Sequence, residues 1–362
     1  MFVRNILKNC YGRSNIDEVK CLFRNCRNDF ISGLRCKHKA AFVEEFGKPL
    51  VIKETTLNKN LKDKEVRIAV KNCGVNISDL LISQGKFKDK VKTPFIPGFE
   101  ISGEVLEVGS GVVDISEGDR IVALNKEILG GFAEECIASE NDIWKIPQSI
   151  NYEDAAALTD SYATALIAAR RVDLKSEDTV LVTAAAGGLG LAAVDVFSNL
   201  FNAKVLGICG TEDRAALVRD KGAFSAMTYK ETRFMDVIEE FTDGKGVKVV
   251  FDAYGGDLFK MCLKGLSMEG SLVVAGFASQ QIPDLQTSEL LPKSCSIIGV
   301  SLTQYRLSAN ETFRDSVQEV IDLHEDEYIE PHVSAVFKLD EINEAFKFYE
   351  DKKSTGKVVI DL

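Results

Sequence analysis

Short stretches of alternating apolar and polar residues, punctuated by glycine and proline, run from residue 38 to about residue 155. Ala40–Phe42, Leu50–Lys53 and Glu65–Asn72 read as short strands by this period-two rule. Phe99–Val108 alternates clearly and meets a Gly-Ser-Gly turn, and the turn at Gly118 opens another strand through Leu124. Many short strands with such turns predict a compact β-rich or barrel-like unit.

Beyond Tyr152 the texture changes. Asp154–Arg171 is rich in Ala and Leu and predicts a helix. Apolar strand-type and helix-type segments then alternate: strands at Thr179–Ala184, Lys204–Ile208, Lys248–Asp252 and Ser271–Phe277, helices at Leu189–Phe201, Glu212–Lys221 and Gly256–Leu266. This alternation predicts βαβ units and a doubly wound parallel sheet of the Rossmann type. Near Thr303 the alternation stops, and a helix at Ala309–Leu323 and a strand at Gly356–Asp361 close the chain. The expected organisation is 38–155 with 303–362 as one domain and 156–302 as the dinucleotide-binding domain.

The first 37 residues read differently. Phe2-Val3, Ile6-Leu7 and Cys10-Tyr11 recur every four residues with Arg4 and Lys8 between them, and no acid precedes Asp17. As a helix this forms a greasy stripe with a basic flank, as in a mitochondrial transit peptide; the plainer alternative is a disordered basic tail. The matrix is the expected location, with the cytoplasm as the alternative.

Charge sharpens the contrast. The formal net charge is -11, yet residues 1–37 carry eight basic side chains against three acids, leaving 36 basic against 52 acidic residues elsewhere. A body this acidic repels phosphate backbones, so nucleic-acid binding is not expected. No apolar run reaches the roughly 18 residues of a spanning helix. The nine cysteines have no C-x-x-C spacing, which favours reduced thiols over a disulfide framework, and three histidines are few for a histidine-built metal site.

The strongest chemical signal is Thr183-Ala-Ala-Ala-Gly-Gly-Leu-Gly190, between a strand and a helix. Gly187 lets backbone approach a diphosphate, Gly190 lets helix and strand pack closely, and the helix start offers unpaired N–H groups. Ala186, Gly187, Gly188, Leu189 and Gly190 are therefore cofactor-binding candidates. The second strand of the unit ends in Cys209-Gly210, where an NAD enzyme carries a carboxylate for the ribose. Arg214 lies just beyond and suits a 2′-phosphate, although it also reads as an exposed helix arginine beside Glu212 and Asp213. The expected cofactor is NADPH.

The order of parts, with Cys73-Gly-Val-Asn-Ile-Ser-Asp79, Pro97-Gly-Phe-Glu-Ile-Ser-Gly103 and Lys353-Ser-Thr-Gly-Lys-Val-Val359, resembles the medium-chain dehydrogenase/reductases and their quinone oxidoreductase branch. The resemblance implies a GroES-like β-rich catalytic domain beside the Rossmann domain, and a homodimer. Where zinc alcohol dehydrogenases carry a ligand cysteine and histidine, this chain has Asn76 and Phe99, and the four-cysteine structural zinc lobe is missing. No metal site is expected. Resemblance also places Asn76 and Thr164 at the nicotinamide, Asp79 close behind and Tyr229 at the adenosine ribose; Gly255 and Phe277 end successive parallel strands, where ligands of such sheets lie or where plain turns form, and Lys357 either reaches a phosphate or ribose or is solvated. Asp79 equally suits a helix-capping role after Asn76. The candidate catalytic residues are Asn76, Asp79 and Tyr162, with Tyr162 or water as the proton donor. Asp160 stands near the expected cofactor cleft and adds a carboxylate there. The activity implied is metal-free hydride transfer from NADPH to a quinone or activated enone. The alternatives are a non-catalytic NADPH-binding relative, RNA-binding in some of the family, and an enoyl-thioester reductase.

Overall fold

Two sheets share the chain between them, and one long helix lies where they meet. The computed structural model describes residues 37–57, 60–86, 91–229 and 233–362, so the leader expected over residues 1–37 lies, but for Lys37, outside the described residues. The first sheet collects β3 (Glu65–Val75), β4 (Glu100–Val108), β5 (Arg120–Leu124), β6 (Glu135–Ser139), β7 (Ile143–Lys145), β14 (Val333–Lys338) and β15 (Lys357–Asp361). Its order is β14-β15-β3-β4-β5-β7, with β6 also pairing β3. The C-terminal strand β15 pairs antiparallel with β3, Val359 facing Gly74 in register, so the tail returns to the domain that began the chain. A hairpin of β1 (His38–Phe42) and β2 (Val51–Thr55) joins this unit through bridges at Ala40–Ala133 and Val43–Phe95.

The second sheet is parallel and contains β8 (Thr179–Val182), β9 (Lys204–Cys209), β10 (Ser225–Thr228), β11 (Val247–Asp252), β12 (Leu266–Val274) and β13 (Ser296–Gly299). Its order, β10-β9-β8-β11-β12-β13, is the doubly wound 3-2-1-4-5-6 arrangement, and the order reverses between β8 and β11. Ligands of such sheets lie at the carboxyl ends of the strands at that reversal. Strand β12 starts at Leu266 rather than Ser271, because Leu266 already pairs with Val247 before the register shifts; Phe277 therefore lies in the loop beyond the strand.

Helix α2 (Tyr152–Arg171) follows α1 (Ile77–Ser83) and is the hinge of the architecture. Asn151 caps it by accepting the Asp154 N–H at 2.7 Å, and Arg170 and Arg171 sit in its last turn, where the helix dipole favours cations. It is buried on nearly every side from Ala155 to Ala169, because it packs on β3 and β4 of the first sheet and on α3 (Gly188–Asp195) and α8 (Asn310–Glu325) of the second unit. The texture change read near residue 155 thus falls inside one continuous helix. Side chains such as Phe132 on one side and Phe251 on the other are fully buried; each contributes roughly 2–3 kcal/mol by leaving water. Cys73, Cys136, Cys209, Cys262 and Cys295 are buried free thiols.

Candidate active site

The second sheet builds one end of the site from backbone. β8 is buried from Val180 to Val182, and the chain then turns through Thr183 and Ala184 into α3. Thr183 Oγ1 donates to Asp252 Oδ1 at 2.6 Å, and Asp252 accepts the Gly255 N–H at 3.0 Å, which ties the ends of β8 and β11 together. A side chain at Gly190 would place its Cβ 2.2 Å from the Ala184 carbonyl oxygen, so only glycine allows this turn. The first-turn N–H groups of Gly188, Leu189 and Gly190 have no acceptor within their own helix and face a cleft of about 1030 Å³. The tail closes over the turn: Gly356 N–H donates to the Ala186 carbonyl at 2.8 Å, and Gly356 bridges Gly187.

At the far side of this loop Cys209, Gly210, Thr211, Arg214, Tyr229 and Tyr254 line the cleft. The Tyr229 and Tyr254 rings lie 5.0 Å apart at 33°, and burial pushes the Tyr229 phenol up. Thr211 caps α4 (Glu212–Asp220). Arg214 lines the cleft, but its guanidinium also donates to the Ser354 carbonyl at 2.9 Å and to that of Lys352, so it anchors the tail as well.

The other end of the cleft is built from charged side chains. Glu100 is fully buried on β4. Its Oε2 accepts from Lys357 Nζ at 2.5 Å and from Asn76 Nδ2 at 3.0 Å. Its Oε1 accepts from the Asp160 N–H at 2.9 Å and from Thr159 Oγ1 at 3.3 Å. Lys357 also donates to Asn76 Oδ1 at 2.8 Å. Desolvation works against the Lys357 ammonium, yet the carboxylates of Glu100 and Asp160 outweigh it and hold its pKa above the ordinary value. A buried ion pair stays favourable only when its remaining lone pairs are satisfied, and here four donors serve one carboxylate. Beside it, Lys126 pairs with Asp160 and lies 4.9 Å from the centre of the Phe99 ring. Thr164, Tyr349 and Phe277 complete this part of the wall.

Most of the expected site residues come together: Asn76, Thr164, Ala186, Gly187, Gly188, Leu189, Gly190, Arg214, Tyr229, Phe277 and Lys357 all line the cleft. Thr164 does so while its hydroxyl donates to the Asp160 carbonyl at 2.7 Å. Three residues depart from expectation. Tyr162 points into the core, its hydroxyl oxygen 2.7 Å from Asp195 Oδ2 and 2.6 Å from the Glu330 carbonyl; burial raises its phenol, and it is no proton donor to the cleft. Asp79 is buried behind Asn76, where its carboxylate accepts the Asn76 N–H at 2.8 Å and the Gly98 N–H at 3.1 Å, the capping role rather than a catalytic one. Gly255 has φ +70 and lies under Phe277, so it shapes the loop rather than lining the cleft. Sequence reasoning missed Lys126 and Tyr349 as cleft components and Glu100 as the buried carboxylate behind Asn76 and Lys357. A carboxylate inside the apolar stretch Phe99–Val105 was the available signal for Glu100.

The comparisons agree with this geometry. Residues 62–148 match the alcohol dehydrogenase GroES-like domain, and residues 188–323 match the zinc-binding dehydrogenase family. Quinone oxidoreductase-like protein 2 homolog of Nematostella vectensis is 42% identical, with 90% of each chain covered. The chain belongs to the medium-chain dehydrogenase/reductase family, in its quinone oxidoreductase branch. It is therefore a member of an oxidoreductase family, and its first sheet is the GroES-like domain. Quinone oxidoreductase-like protein 2 of Bos taurus is 38% identical over 93% of this chain and 96% of its own. Among solved structures, Escherichia coli quinone oxidoreductase complexed with NADPH superposes with TM-score 0.82 at 26% identity, covering 90% of this chain and 100% of that one.

The zinc of the matched family's name does not fit these residues. The Asn76 amide is held by Lys357 and Glu100, Phe99 offers no donor atom, and an ammonium group lies near its ring. Among the described residues no group of three His, Cys, Asp or Glu could hold a metal, and no helix is long and apolar enough to cross a membrane.

Proposed function

We propose that the protein is a zinc-independent, NADPH-dependent reductase that passes hydride to a quinone or an activated enone. The observation that carries this reading is the glycine turn after β8, whose free N–H groups open into a cleft that ends at Asn76, Thr164 and Lys357. Bound there, the cofactor would supply the hydride. The helix start at Gly188 holds a diphosphate, and Tyr229 and Arg214 flank the adenosine end. The absence of a carboxylate at Cys209-Gly210 favours a 2′-phosphate over a bare ribose. Asn76, fixed by Lys357 and Glu100, orients the carboxamide end, and Phe277, Leu80 and Leu302 exclude water from it. The NADPH complexes of the Escherichia coli enzyme and of a mycobacterial protein 29% identical to this chain support the same choice.

The test is a paired titration with NADPH and NADH, followed by turnover with a panel of quinones and enals. NADPH binding at least tenfold tighter, with oxidation by some acceptor, is expected. Binding without turnover by any acceptor would instead favour a non-catalytic relative. We also propose import into the mitochondrial matrix, from the basic amphipathic leader, and a homodimer, for which β13 offers an open sheet edge. Import of a leader-tagged reporter and a light-scattering mass check each of these.

A further inference from the structure

The part of the cleft that neither the cofactor nor the fold accounts for is the Lys126–Asp160 pair. Lys126 follows β5 and reaches into the cleft wall, its side chain 17% exposed and that of Asp160 21% exposed. Its ammonium carries three N–H donors; it is paired with the Asp160 carboxylate and lies 4.9 Å from the centre of the Phe99 ring. Asp160 is itself fixed, since its N–H donates to Glu100 and its carbonyl accepts from Thr164. A cation is thus anchored from two sides, with donor capacity left over, at the end of the cleft shared by Asn76 and Thr164. It lies by the face of Phe99.

We infer that Lys126 is the electrophile of this site: its ammonium donates a hydrogen bond to the carbonyl oxygen of the hydride acceptor and stabilises the negative charge that forms there, with Asp160 as its positioning residue. This rests on the reductase reading above. Hydride from the nicotinamide adds to the conjugated π system of a quinone or enone, and the displaced electron pair ends on the carbonyl oxygen. That oxygen becomes a phenolate or enolate; the acceptor has gained two electrons and the nicotinamide has lost them. A proton from solvent completes the hydroquinone or saturated carbonyl. Lys126 acts where the charge develops, and its anchoring means that no reorganisation is needed as the charge appears. A plain salt bridge at a cleft wall contributes little to folding by comparison.

The same logic selects substrates. Acceptors whose carbonyl oxygen lies three or five bonds from the hydride-accepting carbon along the conjugated system, as in enones and quinones, can use the ammonium. An azo dye of similar potential, with no oxygen to take up the charge, gains less from it.

The experiment compares wild type with Lys126→Met, Lys126→Arg and the double variant Lys126→Met/Asp160→Asn. Each is measured for NADPH affinity, for kcat and KM with a quinone and a short enal, and for melting temperature. Expected is a fall in kcat of about 100-fold for Lys126→Met, with NADPH affinity within about twofold of wild type, an RT-scale change in binding energy. Partial rescue by arginine and no rescue in the double variant are also expected. The double variant leaves no unpaired carboxylate, so it keeps the test open if the single variant folds poorly. Wild-type turnover by Lys126→Met, or recovery of kcat in the double variant, overturns the proposal and makes the pair structural. Loss of NADPH affinity with kcat intact overturns it as well and reassigns Lys126 to the nucleotide. If wild type itself binds no NADPH, the reductase reading has failed, and this assignment falls with it for that separate reason.

Discussion

The two ends of the cleft are made of different materials. At the diphosphate end the contacts come from main chain: the N–H groups of Gly188, Leu189 and Gly190, and the tail lying across Gly187. At the acceptor end they come from charged side chains that neutralise one another, Lys357 with Glu100 and Lys126 with Asp160. A backbone site depends on the shape of one turn and fails when a single atom is added. A side-chain site depends on balance and fails when one partner is removed without the other. The comparison also explains how an acidic protein could accommodate an anionic cofactor: a diphosphate would meet partial positive charge from oriented peptide groups, and the Glu100 and Asp160 carboxylates are each matched by a lysine.

The largest effect is expected where balance is broken. Lys357→Met strands the fully buried Glu100 carboxylate, which costs about 3–5 kcal/mol of stability. Lys357→Met with Glu100→Gln should recover most of that loss, because the charge and its partner leave together. Denaturant melts of the two variants check this. A double variant as unstable as the single would mean that Lys357 supports the fold by its packing against Gly188 alone, where its Cδ would lie 3.0 Å from an added Cβ.

The backbone end should break by addition. Gly190→Ala sets a Cβ 2.2 Å from the Ala184 carbonyl, whereas the same change at Gly187 meets nothing nearer than 3.3 Å. The first should cost about 1–3 kcal/mol in stability and also weaken NADPH binding; the second should leave the melt close to wild type and weaken binding only. Equal losses of stability at both positions, measured by the same melts beside an NADPH titration, would contradict the assignment of Gly190 to packing and Gly187 to the ligand.

This division also decides what could be read from the sequence. The backbone end is local: strand, glycine turn and helix follow one another within a dozen residues, and glycine is the only residue that satisfies the turn. The side-chain end is assembled from residues far apart, Glu100 with Lys357 and Lys126 with Asp160, and no periodicity links them. Tyr162 shows a third limit. Along α2 buried residues run almost without a break, so no amphipathic stripe marks which face meets the cleft. Tyr162 and Thr164 are two positions apart, about 200° around a helix, and only Thr164 faces the ligand side. Asp79 was ambiguous because one residue pattern serves both capping and catalysis. The strands β6, β7, β10, β13 and β14 are not among those the alternation predicts; they are three to six residues long, and length alone does not separate them from β1 and β2, which it does predict.

Between the two ends stands Arg214, which shares its guanidinium with the tail carbonyls. Arg214→Gln should reduce NADPH affinity by about tenfold, or 1.4 kcal/mol, and leave NADH affinity nearly unchanged. Equal losses for both nucleotides would assign Arg214 to holding the tail. Fluorescence titration with each nucleotide separates the two.

The last effect, modest at any one pH near neutrality, concerns a carboxylate that no lysine among the described residues contacts directly. Burial raises the Asp79 carboxyl to about 7, against the two backbone N–H groups it accepts and the nearby Lys357 ammonium, which pull it down. The unfolded chain releases that proton near 3.8, the ordinary aspartate value. Between these limits the native state holds more protons than the unfolded state, so raising the pH drains stability from the protein, and the loss is complete once the pH passes about 7. Asp79→Asn carries no such proton and should flatten that slope between pH 5 and pH 8. Its gain at the alkaline end is modest, since asparagine offers one acceptor oxygen where the carboxylate serves the N–H groups of both Asn76 and Gly98. Melting temperatures of the two proteins across that range decide the point. Parallel curves would mean that Asp79 is ionised throughout, its charge supported by the same lysine that balances Glu100.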